Sequence, residues 1–84
     1  MLNNIELLKK KIIYKSSYRG IKELDIILRA FVKKYINSLS VNDLNDLLNF
    51  LDNNDDDLFK FIQGIENKKI KINNISNLFK NFNI

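Results

Sequence analysis

The chain has no cysteine, no histidine, no tryptophan and no proline, and only two glycines among its 84 residues. Each absence removes something. Without cysteine no disulfide can form, so nothing in the sequence points to an oxidising compartment. Zinc and transition-metal centres draw mainly on His and Cys, so none is expected. Histidine-based acid–base chemistry and Ser-His-Asp catalysis are excluded outright. Long apolar runs are missing too: stretches such as Ile12–Tyr14 span a few residues, where a membrane span needs about 20. Met1 to Ile13 is amphipathic and lysine-bearing, without the apolar centre or small-residue site of a secretory signal. A mitochondrial presequence would be rich in Arg and Ser, and neither occurs before Ser16. The bacterial cytoplasm is therefore the expected compartment, ahead of the mitochondrial matrix.

What is present is charge, unevenly spread. The formal net charge is +4. Residues 1–36 carry nine Lys/Arg and three acids, residues 37–66 one lysine and seven acids, and residues 67–84 four lysines and no acid. The surface is thus a mosaic rather than uniformly basic. Asn, Ile and Lys, all with A/T-heavy codons, are abundant, so the lysine count is not by itself a mark of function.

A chain of 84 residues makes one small domain, and a domain of that size buries about 60–65% of its unfolded surface. That supports one modest core and no deep catalytic cavity. Apolar residues recur at helical spacing, and no sustained alternating run suggests a strand. The reading is an all-α, compact antiparallel bundle of about five short helices. It is taken as a single domain over residues 1–84, with its core in about 4–64 and a C-terminal extension over 65–84.

The first helix is placed from Asn4 to Tyr14, with Asn3 or Asn4 as cap and Leu2, Ile5, Leu8 and Ile12 as its apolar stripe, widened by Leu7 and Ile13. After Ser16, Ser17 and Gly20, a second helix is placed over Gly20 to Ile36, with a core face of Ile21, Leu24, Ile27, Leu28, Phe31, Val32 and Tyr35. Ser40 caps a third helix in a capping-box-like Ser40-Val41-Asn42-Asp43, with Leu39 as staple and Leu44, Leu47, Leu48 and Leu51 buried. A fourth runs from Asp57 to Gln63, capped by Asp55 or Asp56, with Leu58, Phe59 and Ile62 inward and Gly64 at C′. Ile65 to Ile72 reads as irregular. A last short helix spans about Asn74 to Phe82 on Ile75, Leu78, Phe79 and Phe82. The second and third helices are expected to form the centre.

The segment Tyr18-Arg19-Gly20-Ile21-Lys22-Glu23-Leu24-Asp25-Ile26 stands apart. Arg19 and Glu23 are four residues apart, so a helix running through both would place them on one face, with Ile26 and Ala30 in line. That line lies opposite the core stripe and is flanked by Lys22 and Lys33. On the residues alone, the plain reading is an intrahelical ion pair on a solvated face. Two things count against it. A cation near a helix N-terminus, with Arg preceding Glu, is the poorer arrangement, and Gly20 adds an entropic cost. Local rules broken together suggest a functional constraint.

Arg19-Gly20-x-x-Glu23 followed by Leu24-Asp25 resembles the RGxxE signature of the SdhE family, the succinate dehydrogenase assembly factor 2 group. Ser38-Leu39-Ser40 resembles its SLS helix start, and Asp55-Asp56-Asp57-Leu58-Phe59-Lys60-Phe61 its DPDLxxWL segment. The likeness covers about Leu7 to Gly64, and the residues beyond Ile65 carry none of it. Tyr18 stands where many relatives have a second arginine, Asp56 where proline is usual and Phe61 where tryptophan is. The resemblance implies a five-helix bundle that is not an enzyme. It implies a chaperone that binds the flavoprotein subunit of succinate dehydrogenase, in some bacteria also that of fumarate reductase, and promotes covalent flavinylation. The FAD and the histidine it joins belong to the partner, and this chain binds no cofactor itself. Arg19, Gly20 and Glu23 are then the partner-binding residues, with Tyr18, Lys22 and Ile26 as neighbours, projecting together from the outer side of the second helix.

A different class of reading is a small basic nucleic-acid-binding or antitoxin-like regulator, through Lys9-Lys10-Lys11, Tyr14, Lys15, Lys68, Lys69 and Lys71. A solvated helix face is the plainer meaning of such a run, and nucleic acid is not the expected partner. Asp52, Asp55, Asp56 and Asp57 lack the Gly and terminal Glu spacing of an EF-hand, so a helix cap and solvated loop is preferred to a calcium site.

Overall fold

Among the described residues there are five helices, and side-chain caps fix where four of them begin. In the computed structural model, which describes residues 3–65 and 69–82, the helices are α1 (Asn4–Lys15), α2 (Lys22–Tyr35), α3 (Val41–Phe50), α4 (Asp55–Ile62) and α5 (Asn74–Lys80). The all-α expectation holds: among the described residues there is no strand. Asn3 accepts from the Glu6 amide at 2.8 Å and Ser40 from the Asp43 amide at 3.2 Å. At α5 the capping is reciprocal: Asn73 Oδ1 accepts from the Ser76 amide at 3.0 Å, while Ser76 Oγ accepts from the Asn73 amide at 2.8 Å. Each such bond satisfies a donor that the helix leaves without a partner.

Two starts differ from the sequence reading. α4 begins at Asp55, because Asn54 rather than Asp55 or Asp56 accepts from the Asp57 amide, at 2.9 Å. That leaves the Asp55 carboxylate available for another contact. α2 begins at Lys22 rather than Gly20, after Ile21 in extended conformation, and is the one helix without a side-chain cap. At the far end of α4, Gly64 adopts φ 82°, the left-handed conformation expected of a C′ glycine.

The core is continuous through all five helices. It joins Ile12 of α1 to Leu24, Leu28, Phe31 and Val32 of α2, Leu44, Leu47 and Phe50 of α3, and Leu58 and Phe61 of α4. Ile70, Ile75 and Phe79 enter the same cluster from the C-terminal segment. Phe79 is fully buried, with its ring edge-on to Phe31 at 5.3 Å and to Phe50 at 5.1 Å between centroids. Such tilted aromatic pairs add to the gain from burial.

α2 and α3 supply many of the buried side chains, yet the most extensive helix packing is of α1 on α3, with α5 on α3 and α4, and α2 on α1 and α4. This corrects the expected α2–α3 centre. It also narrows the apolar stripe of α1: Ile12 is buried and Leu8 partly so, but Ile5, Leu7 and Ile13 are about half exposed. A helix covered mainly by one neighbour buries a narrow stripe. Leu2 lies outside the described residues.

Candidate functional site

The turn between α1 and α2 is fixed from both ends. Ser16 Oγ and Ser17 Oγ both donate to the Ile13 carbonyl, at 2.9 and 2.8 Å, closing the end of α1. Tyr18 follows at φ 59°, the one described non-glycine residue in the left-handed region. That conformation costs an L-residue about 1–2 kcal/mol, and it immediately precedes Arg19.

Arg19 does not project outward. Its side chain is only 12% exposed. Nε donates to Asp55 Oδ1 at 2.7 Å, and Nη1 donates to the Lys15 carbonyl at 2.8 Å and the Leu51 carbonyl at 3.0 Å. Nη2 donates to the Asn53 carbonyl at 2.9 Å. Four of the five guanidinium donors are thereby used. They join the C-terminal ends of α1 and α3, where backbone carbonyls lack helical partners and a cation is favoured. Only a planar, forked cation can span this set of acceptors.

The other oxygen of Asp55 takes the Gly20 amide, Oδ2 accepting at 2.6 Å. A Cβ on Gly20 would stand 3.0 Å from that same oxygen. A side chain at Gly20 is therefore crowded by Asp55, whose carboxylate must give by a few tenths of an ångström to admit it. Asp25 closes the turn from the α2 side: Oδ1 accepts from Arg29 Nε at 3.1 Å and, at a long 3.4 Å, from the Arg19 amide.

The expected outward trio is thus divided. α2 starts after Arg19, so the residues share no helix face, and the partner of Arg19 is Asp55, 36 residues away, instead of Glu23. Glu23 and Lys22 lie exposed in the first turn of α2 and enter no ion pair among the described residues. Ile26 follows them at 52% exposure, while Ala30 is half-buried. Asp55 is the residue the sequence reading missed as part of the site. Its signal was present, since it heads the last of the three segments that carry the family likeness.

The remaining charged residues are dispersed. Lys9, Lys10 and Lys11 diverge by about 100° per residue around α1. Lys9 donates to Asn37 Oδ1 at 3.1 Å, and Lys15 pairs with Asp52. Lys69 lies 4.0 Å from Asp57 across the loop before α5, and Lys68 is outside the described residues. Asp52, Asp55 and Asp57 thus each face a cation, and Asp56 is exposed in the first turn of α4. Among the described residues, no group of three or more potential ligands converges on a metal position, and no helix is long and apolar enough to cross a membrane.

These features define a small helical protein whose one elaborate polar arrangement organises a surface turn. The chain belongs to the family described as the flavinator of succinate dehydrogenase, whose sequence model matches residues 10–83. It is similar to the FAD assembly factor SdhE of Legionella pneumophila, with 30% identity over 73 residues that cover 87% of this chain and 91% of that protein. Mitochondrial succinate dehydrogenase assembly factor 2 of Schizosaccharomyces japonicus is 36% identical over 59 residues, 70% of this chain and 41% of that one. The Dictyostelium discoideum protein of the same name is 36% identical over 61 residues, 73% of this chain and 43% of that one. The chain spans about two-fifths of the length of these mitochondrial relatives. No solved structure matches it. The family match extends beyond Ile65, where the sequence showed no motif.

Proposed function

We propose that this chain is an assembly factor that binds the flavoprotein subunit of succinate dehydrogenase and promotes covalent attachment of FAD to it. The observation that carries this reading is the family match over residues 10–83, together with a bacterial SdhE relative aligned over nearly its whole length. The flavoprotein of fumarate reductase is a second partner of the same kind. The working compartment is the bacterial cytoplasm, where such a flavoprotein would be made.

In this reading the chain is a chaperone and not the catalyst. It has no histidine of its own, so the residue that receives the flavin is the partner's, and FAD arrives on the partner. Docking holds the flavoprotein in the arrangement in which its histidine and flavin stay in reacting geometry, which lowers the entropic part of the barrier. The geometry supports one division of roles within the turn. Arg19 and Asp55 position the turn, Gly20 lets it close on Asp55, and Lys22, Glu23 and Ile26 form the exposed edge that meets the partner.

The test is complementation of a strain that lacks its native assembly factor, reading covalently bound flavin in the separated flavoprotein. The wild-type chain should restore covalent flavin. If it leaves the flavoprotein at the level of the deletion strain, this functional reading fails.

A further inference from the structure

An open groove of about 380 Å³ lies between the C-terminal part of α1 and the C-terminal half of α2. Ile13, Val32 and Ile36 give it an apolar lining. Val32 and Ile36 are core residues, but the bundle leaves Ile13 51% exposed. The uncharged polar groups beside it are already satisfied within the fold. Ser16 and Ser17 donate to the Ile13 carbonyl, and Asn37 Oδ1 accepts from Lys9. The two cations on the rim are different. Arg29 bonds to Asp25 through Nε alone, and its Nη atoms make no hydrogen bond among the described residues. Lys33 is exposed and enters no ion pair among them. No carboxylate among the described residues lines the groove. What it offers a ligand is therefore an uncovered apolar surface beside uncommitted positive charge. The rim is also continuous with the exposed edge of α2. Lys22, Ile26, Arg29 and Lys33 follow one another by four, three and four residues, so they stand in one line along the helix, and all four are exposed.

We infer that the groove between α1 and α2 docks an acidic amphipathic segment of the flavoprotein, with an apolar side chain over Ile13 and carboxylates against Lys33 and Arg29. The inference rests on the functional reading above and adds the chemistry by which the partner is recognised. Charge complementarity selects the acid: two cations without a facing carboxylate repel a basic segment and steer an acidic one into place. The exposed Ile13 selects an apolar group, because covering it removes apolar surface from water, and apolar patches rimmed by polar groups mark interaction sites. A segment carrying both at helical spacing would lie in the groove as an amphipathic helix does in a partner's cleft. An anionic lipid offers the same two chemistries. The unbroken line from the groove to Lys22 and Ile26 favours the protein, since one extended partner surface can cover both.

The measurement is calorimetric titration of the full chain with the purified flavoprotein subunit of succinate dehydrogenase, with thermal unfolding of each variant alongside. Lys33→Glu carries the test, since an exposed, unpaired lysine can be reversed without unfolding the chain. It should bind about tenfold more weakly, through like-charge repulsion. Ile13→Ser should bind about fivefold more weakly, as the apolar contact is lost. Lys60→Glu makes the same charge change in α4, outside the groove, and should stay within about twofold of wild type. Raising the salt from about 0.05 M to about 0.5 M should weaken wild type more than Lys33→Glu, because the attraction screened is the one that variant lacks. The proposal is overturned if Lys33→Glu binds like wild type, or if Lys60→Glu loses as much, which would make the effect one of net charge. It is also overturned if phosphatidylglycerol vesicles retain the chain through Lys33 while the flavoprotein is bound regardless of it; the groove is then a lipid site. If the wild-type chain does not bind the flavoprotein at all, the functional reading falls; if it binds and the groove variants match it, the groove alone is wrong.

Discussion

Nε of Arg19 lies 2.7 Å from Oδ1 of Asp55, although 36 residues separate them in the chain. The contact joins two of the three segments that carry the family likeness, Arg19-Gly20 and the acidic run that opens α4. They are therefore two halves of one clamp, which ties the α1–α2 turn to the α3–α4 link. With Arg19 12% and Asp55 27% exposed, the pair is shielded enough for its geometry to matter. An open surface pair of the same charges would contribute little.

Removing either partner leaves the other charge poorly solvated. Arg19→Ala strands the Asp55 carboxylate and three carbonyls, and should cost about 3 kcal/mol, as for a broken buried pair. Asp55→Ala should cost a similar amount. The double variant should lose less than the sum, with a coupling of about 1 kcal/mol or more. Urea denaturation followed by circular dichroism measures all four corners of the cycle. Strictly additive losses would mean the two side chains do not act together.

Gly20 makes a sharper prediction, because the crowding of a side chain there comes from Asp55. In the wild-type background, Gly20→Ala places a methyl 3.0 Å from Asp55 Oδ2 and should destabilise by about 1 kcal/mol, the low end of overpacking costs. In an Asp55→Ala background that oxygen is gone. The same substitution should then be neutral or stabilise by about 0.5 kcal/mol, through reduced freedom of the unfolded chain. An equal cost in both backgrounds would place the constraint elsewhere.

Much of this architecture was legible in the sequence, for identifiable reasons. Helical periodicity located five helices, and the capping residue Ser40 and the C′ glycine Gly64 marked ends that the fold uses. Phe79 was marked as a core anchor by its spacing, whereas Phe61 is buried although the spacing put Phe59 and Ile62 inward instead. The start of α4 was misplaced because Asn54, Asp55 and Asp56 are all good caps, and local chemistry does not choose among them. The destination of Arg19 was illegible for a different reason. The neighbour rule for helices sees partners three or four residues away, so it offered Glu23, whereas the true acceptor is brought in by tertiary packing. Nothing about a tyrosine signals a left-handed φ, and Tyr18 owes its conformation to the bonds made by its neighbours.

Glu23 distinguishes docking from folding. It is exposed and enters no ion pair among the described residues, so Glu23→Ala should change stability by less than about 0.5 kcal/mol. If the α2 edge meets the flavoprotein, the same variant should lower covalent flavin in the complementation assay. A Glu23→Ala chain that is both as stable and as active as wild type would remove Glu23 from the contact surface.

The C-terminal helix tests whether the bundle folds as one unit. Phe79 is fully buried between Phe31 and Phe50, and Ile70 and Ile75 fill the adjoining layer. Truncating a buried Phe to Ala costs about 3–5 kcal/mol, while a whole domain is stable by about 5–15 kcal/mol, and a chain this short falls toward the lower part of that range. Phe79→Ala should therefore leave the protein largely unfolded near body temperature, and Phe79→Leu, which keeps most of the volume, should remain folded. Deleting residues 70–84 removes three core side chains at once and should abolish the cooperative thermal transition. A cooperative transition in the deleted chain would mean that α1 to α4 form a complete core and that α5 only covers it.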